Sequence, residues 1–196
     1  MSKFEQIDRN RFGLVGYLYT PDDCTDAPLI VYLGGQGEVP NSWGLMKMIK
    51  EGYRPKAYVY APANQYVGAA GIHYIVTKAA SVLNVKHVHI FGYSLGGHQG
   101  LQMISDNPYY YANAVILGAY PNASFPCYSI YTKPTTSFIV YCGQKESAGI
   151  RAAIETFAAT MKKNNRKIEF HSLPDIRHTE YGCVVDSSLI ERLISL

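Results

Sequence analysis

Charge is what this chain has least of. Only 17 % of its 196 residues are Asp, Glu, Lys or Arg, and the net charge is +3; about 25 % is usual for a soluble domain. Basic residues gather once, at Lys162, Lys163, Arg166 and Lys167, with Asn164 and Asn165 between them. That reads as a solvated helix end rather than the broad basic face that nucleic acid demands. No apolar run is long enough to span a bilayer. Neither nucleic acid nor a membrane is therefore an expected partner. Cysteine is sparse too: Cys24, Cys127, Cys142 and Cys183 stand far apart without a Cys-x-x-Cys pair, and no His, Cys or Asp cluster has ligand spacing. No metal and no organic cofactor is expected. A charged-then-apolar leader is missing at Met1-Ser-Lys-Phe-Glu-Gln6, so the acceptor-like Asn122-Ala-Ser124 carries no weight. The expected compartment is the cytoplasm, with reduced thiols.

What the chain does have is apolar patterning: 47 % of residues are hydrophobic, enough for a single domain over 1–196. Phe12 to Thr20 reads as a strand. Pro28 to Leu33 is a near-continuous apolar run, the mark of a parallel strand buried on both faces. Ser42 reads as an N-cap, with Trp43, Met46 and Ile49 at helical spacing and Gly52 as the stop. Ala57 to Ala61 is a strand, and Ile72, Ile75, Val76, Ala79, Ala80 and Leu83 stripe a long helix. Short strands follow at Val88–Phe91, Ala114–Leu117, Thr136–Cys142 and Lys167–Leu173. Helical stripes run over Ile150–Met161 and Leu189–Ile194. Strands alternating with helices predict a three-layer α/β/α sandwich around a mostly parallel sheet. The one long irregular stretch, 119–135, is expected to form at most a small cap.

One stretch is built for chemistry. His87-Val-His-Ile-Phe-Gly-Tyr-Ser-Leu-Gly-Gly-His98 runs a buried strand into Gly92-Tyr93-Ser94-Leu95-Gly96 and then into a helix. Glycines on either side of the serine allow a sharp turn that raises its hydroxyl above the sheet. The Leu95 N–H then points to where an oxyanion would form, at the positive end of the helix. A second N–H donor is expected from the loop Gly34-Gly35-Gln36-Gly37, with Gly35 and Gln36 as candidates. That loop lacks the Gly-x-Gly-x-x-Gly spacing and the Gly-Lys-Ser/Thr ending of a nucleotide site.

A serine hydroxyl needs a base. His87 and His89 lie upstream on the nucleophile strand, His73 and His98 fall in helices, and His171 is inside the last strand. His178 alone sits between the last strand and the last helix, at the carboxyl edge of the sheet, where ligands bind in such folds. Glu146, just past the penultimate strand, is the first candidate for the acid behind it. Asp175, in the histidine loop itself, is the rival.

Leu33-Gly-Gly-Gln-Gly37, Gly92-Tyr-Ser-Leu-Gly-Gly97, Gly143-Gln-Lys-Glu146 and His178 together resemble the ordered landmarks of the α/β-hydrolase superfamily, over nearly the whole chain. The resemblance implies a nearly lidless esterase-like serine hydrolase, with Ser94 as nucleophile, His178 as base and Glu146 as acid. It also implies Leu95 and Gln36 as oxyanion donors. The chain departs from the family pattern at Gly34-Gly35, where His-Gly is common, and in its acid, which is more often aspartate. Thioesterases, peptidases and inactive binding proteins share the fold. The expected partner is a small-molecule or acylated substrate, with Tyr93, Trp43 and Tyr120 as the aromatic candidates for contacting it.

Overall fold

The computed structural model describes residues 2–7, 15–40, 42–63 and 67–196. Eight strands form one sheet: β1 (Lys3–Ile7), β2 (Gly16–Thr20), β3 (Leu29–Leu33), β4 (Tyr58–Pro62), β5 (Val88–Tyr93), β6 (Tyr111–Leu117), β7 (Ser137–Gly143) and β8 (Ile168–Leu173). Their spatial order is β1-β2-β4-β3-β5-β6-β7-β8. The first two pairings, β1 with β2 and β2 with β4, are antiparallel, and every later one is parallel. The helices are α1 (Gly44–Lys50), α2 (Gly68–Leu83), α3 (Leu95–Asp106), α4 (Ala148–Lys163) and α5 (Ser187–Ser195), with a 3₁₀ turn at His178–Val184.

Period-two alternation along the strands divides the core into two layers. Leu29, Val31 and Leu33 of β3 meet α2, α3 and α4 through Ile72, Val76, Leu101, Ile104, Ile154 and Phe157. Ile30 and Tyr32 face the other way, toward Leu45, Met46 and Ile49 of α1 and Leu189, Ile190 and Leu193 of α5. A strand buried on both faces is what the unbroken apolar run of β3 predicts. Burying one such side chain stabilises the fold by roughly 1.5–3 kcal/mol, so both helical layers are needed to hold the sheet.

Several boundaries differ from the sequence reading. Helix α1 takes Trp43 as its N-cap, because the Ser42 hydroxyl instead donates to Val39 O at 2.9 Å. Strand β6 starts at Tyr111, three residues before the apolar run at Ala114. Strand β1 was not expected: it is an edge strand whose outer positions are polar or half-exposed, with only Ile7 buried. Of the strand expected from Phe12, residues 12–14 lie outside the described residues, while Gly16–Thr20 is strand. The segment 119–135 splits in two. Its second half drops into the helical layer, with Cys127 and Ile130 buried there. Only Tyr120, Asn122, Ser124 and Phe125 border a cavity at the sheet's carboxyl edge.

Strand β3 leads sideways to β4 on one flank, while the chain from β5 onward builds the other. Leu33 at the end of β3 pairs with Gly92 near the end of β5. The glycine loop and the serine turn therefore emerge side by side, at the point where the strand order reverses and an open α/β sheet leaves a crevice.

Candidate active site

Ser94 ends β5 and opens α3 with φ +50° and ψ −119°, a backbone conformation that L-residues adopt only under strain. Surrounding contacts hold it there. Its N–H donates to Leu117 O at 3.0 Å, and the Gly96 N–H donates to Gly34 O at 3.0 Å. Position 96 has to be glycine, since a Cβ there would stand 2.2 Å from Leu33 O. The second glycine of the motif is thus a matter of backbone packing between the elbow and β3.

His178 begins the 3₁₀ turn beyond β8, and its Nε2 lies 2.7 Å from Ser94 Oγ. Its backbone is clamped from two sides. The Tyr93 hydroxyl donates to His178 O at 2.7 Å, while the Arg177 N–H donates to Glu180 Oε2 at 2.7 Å, closing a capping box. Tyr93 was expected to touch substrate, and the structure corrects this. Its ring is buried, its hydroxyl is committed to the histidine backbone, and burial pushes its pKa up to about 12. Trp43 is corrected on a different ground. It is half-buried, stacks on Tyr93 with ring centroids 4.5 Å apart, and is not among the residues lining the cavity. Tyr120 does line the cavity.

Glu146 follows β7 in a tight turn, its N–H donating to Gly143 O at 3.2 Å. Its side chain is 1 % exposed, and Oε1 accepts from His178 Nδ1 at 2.8 Å. A carboxylate this deeply buried needs more than one donor. The second is the Tyr181 hydroxyl, at 3.0 Å from the same oxygen, which itself accepts the Gly143 N–H at 2.7 Å. Burial holds the Tyr181 phenol far above its ordinary range, so it remains a donor. Room for this cluster comes from Gly118, with φ +61°, where a Cβ would meet the Tyr181 ring at 2.7 Å and Glu146 Oε1 at 3.2 Å. Asp175 is elsewhere: it is 82 % exposed and bound to Lys145 at 2.9 Å.

Tyr181 escaped the sequence reading. Its signal was the spacing His178-Thr-Glu-Tyr181, since residues three apart on a 3₁₀ turn share a face. Tyr181→Phe is expected to lower unfolding stability by about 2 kcal/mol, measured by urea denaturation. Losing the hydroxyl leaves the buried Gly143 N–H unpaired and removes one donor from a buried charge.

The glycine loop is also more specified than expected. The Gly35 N–H is already committed to Glu38 Oε2 at 2.7 Å, which removes Gly35 as a free oxyanion donor. Among the described residues, Gln36 makes none of the loop's backbone hydrogen bonds. Leu95 begins α3, where an N–H has no intrahelical acceptor. Both residues line the cavity with Ser94 and His178. Glu38 is half-buried and its carboxyl is held above the usual range by desolvation, against the opposing Gly35 bond.

The remaining histidines occupy other places. His171 lies inside β8, stacked on Tyr141 at 4.6 Å. His73 Nδ1 meets the Tyr111 hydroxyl at 2.6 Å. His89 is buried, and desolvation pushes its pKa down to about 4. His98 was expected only as a helix residue, yet it reaches the serine cavity. Among the described residues, no group of three or more His, Cys, Asp or Glu could hold a metal ion, and no helix is long and apolar enough to cross a membrane.

This is the α/β-hydrolase fold, and solved structures share it end to end. A CIB-like hydrolase from Thermoplasma acidophilum superposes with TM-score 0.71 at 16 % identity, over 100 % of this chain and 99 % of that one. The fluorophosphonate-binding serine hydrolase FphF of Staphylococcus aureus gives 0.69 at 14 %, over 99 % and 97 %. Est1E from Butyrivibrio proteoclasticus gives 0.66 at 12 %, over 99 % and 98 %. No curated protein sequence matches the chain. The family model of the dienelactone hydrolases matches residues 58–180, well over half the chain, and the chain belongs to that family of hydrolases.

Proposed function

We propose that this hydrolase cleaves carboxylic esters through an acyl-enzyme on Ser94. One observation carries the reading. Two hydrogen bonds join three side chains without a gap: Ser94 Oγ to His178 Nε2 at 2.7 Å, and His178 Nδ1 to Glu146 Oε1 at 2.8 Å. An acceptor-only carboxylate on Nδ1 fixes the proton there and leaves the Nε2 lone pair toward the serine.

The steps follow from that tautomer. Ser94 Oγ attacks the acyl carbon as its proton passes to Nε2, and the imidazolium is stabilised by Glu146. The carbonyl oxygen becomes an oxyanion, which the Leu95 and Gln36 N–H groups receive. His178 then gives its proton to the leaving alcohol oxygen, leaving the acyl group on Ser94. Water, deprotonated by the same nitrogen, attacks the acyl carbon; the bond to Ser94 Oγ breaks as Nε2 returns the proton to it, and the acid is released. In this reading the whole chain is one catalytic domain acting on a small molecule in the cytoplasm, a compartment that suits its four free cysteines.

A fluorophosphonate probe tests the assignment directly. The expected adduct is a single one on the peptide carrying Ser94, located by mass spectrometry, and it forms more slowly in Glu146→Gln. No adduct on native, folded protein, or an adduct on another serine, would remove the reading.

A further inference from the structure

The cavity that holds the histidine base holds a second imidazole that the chemistry above leaves unused. His98, one turn into α3, lines the same cavity as Ser94 and His178. Its Nδ1 lies 2.6 Å from Tyr120 O. A carbonyl oxygen only accepts, so a contact this short places the proton on Nδ1. Asn122 offers that nitrogen a competing donor, but the contact is longer. An unprotonated Nδ1 would set a lone pair against the Tyr120 carbonyl at 2.6 Å, so the shorter contact sets the tautomer. Asn122 Oδ1 accepts from the Ser124 and Phe125 N–H groups at 2.9 and 3.2 Å, which turns its amide nitrogen, a donor, toward Nδ1 at 3.1 Å. The ring is locked between aromatic neighbours. Phe125 stacks on it at 5.5 Å and 12°, and Tyr120 meets it edge-on at 5.1 Å and 80°. Its pKa is lowered, first by burial and further by the His178 charge, against the Tyr120 bond.

With Nδ1 committed, the other ring nitrogen carries a lone pair. Nε2 has no partner among the described residues and is not sealed from the cavity. Two of the neighbouring acceptors are spent: Asn122 Oδ1 on the turn, and Tyr120 O on His98 itself. Resting on the esterase reading, we infer that His98 Nε2 is a specificity-determining acceptor, selecting small esters that carry a hydroxyl or amide N–H close to the scissile carbonyl. The cavity is about 310 Å³, at the small end for ligand sites, and has room for a compact polar ester. The bond would be made in both ground and transition states, so it acts on selection between substrates rather than on the chemical step.

The test uses two ester pairs that differ only by capping the donor: methyl lactate against its methyl ether, and glycol monoacetate against its methyl ether. Wild type is expected to favour the free hydroxyl in at least one pair by roughly tenfold in kcat/KM, the worth of one well-placed neutral hydrogen bond. In His98→Phe, which keeps the stack on Phe125 but has no acceptor, that ratio is expected to fall to about one. His98→Gln supplies a carbonyl oxygen and should restore part of it. An equal ratio in wild type and both variants overturns the inference while leaving the esterase reading standing. If wild type hydrolyses none of the four, the esterase reading fails. The same four compounds titrated calorimetrically into Ser94→Ala still decide whether the donor is selected and whether His98→Phe abolishes the preference.

Discussion

Ser94→Ala is expected to reduce ester hydrolysis by roughly 10⁴–10⁶-fold in kcat, with little change in substrate binding. His178→Ala should fall into the same range, and the double variant should lose almost nothing more. The reason is that a nucleophile and its base work as one device: without the base the hydroxyl keeps its proton, and without the hydroxyl the base has nothing to deprotonate. What survives comes from the Leu95 and Gln36 donors and from positioning. His171→Ala is the control, since its ring stacks on Tyr141 away from the cavity. Steady-state kinetics on folded variants, checked by circular dichroism, decide the matter. A dead His171→Ala beside a healthy His178→Ala would overturn the base assignment, as would losses that simply multiply in the double variant.

The second large effect is expected at Glu146→Gln, and here the structure sharpens the magnitude. Reversing the histidine tautomer costs about 10⁴ in a well-studied triad. Two donors converge on one oxygen in this protein, since His178 Nδ1 and the Tyr181 hydroxyl both reach Glu146 Oε1. The Tyr181 hydroxyl is biased to donate toward that point, because one of its lone pairs already takes the Gly143 N–H. A glutamine is thereby favoured to place its carbonyl oxygen, not its NH₂, at that point. The productive tautomer survives and only the charge behind the imidazolium is lost. The expected fall in kcat is thus about 10²–10³-fold, short of the tautomer penalty. In Glu146→Gln combined with Tyr181→Phe the amide is free to flip, and the loss should deepen toward about 10⁴-fold. Asp175→Asn should be close to silent, its carboxylate being exposed and paired with Lys145. A crippled Asp175→Asn with a healthy Glu146→Gln would move the acid into the histidine loop.

The parts of the molecule that sequence made legible are those set by short-range rules. A doubly buried strand reads as an unbroken apolar run, as in Leu29–Leu33, and an elbow reads as glycines around a serine. The order of strands and helices then fixes which loop ends reach the carboxyl edge, so Ser94, Glu146 and His178 were legible as loop positions. What stayed hidden depends on the direction of individual side chains. Tyr93 and Trp43 were placed at the substrate because they are aromatic neighbours of the elbow and the glycine loop. Alternation along β5 instead sends Tyr93 into the layer beneath the histidine. Tyr181 and Glu38 act through hydrogen bonds to backbone groups that only the folded loops bring near. His98 looked like one more helical residue until the segment after β6 folded back and supplied the Tyr120 carbonyl. Strand β1 was hidden because an edge strand with one buried residue leaves almost no pattern.

The positive φ of Ser94 has a consequence beyond the reaction. A side chain held at φ +50° and ψ −119° stores on the order of 1–3 kcal/mol, and glycine alone would release it. The most heat-tolerant residue at this position is therefore one that cannot attack a carbonyl. A laboratory selection for thermal tolerance that ignores turnover would drive position 94 toward glycine. If Ser94 is the nucleophile proposed above, a requirement for turnover keeps serine there, on the less stable side of the protein's own optimum.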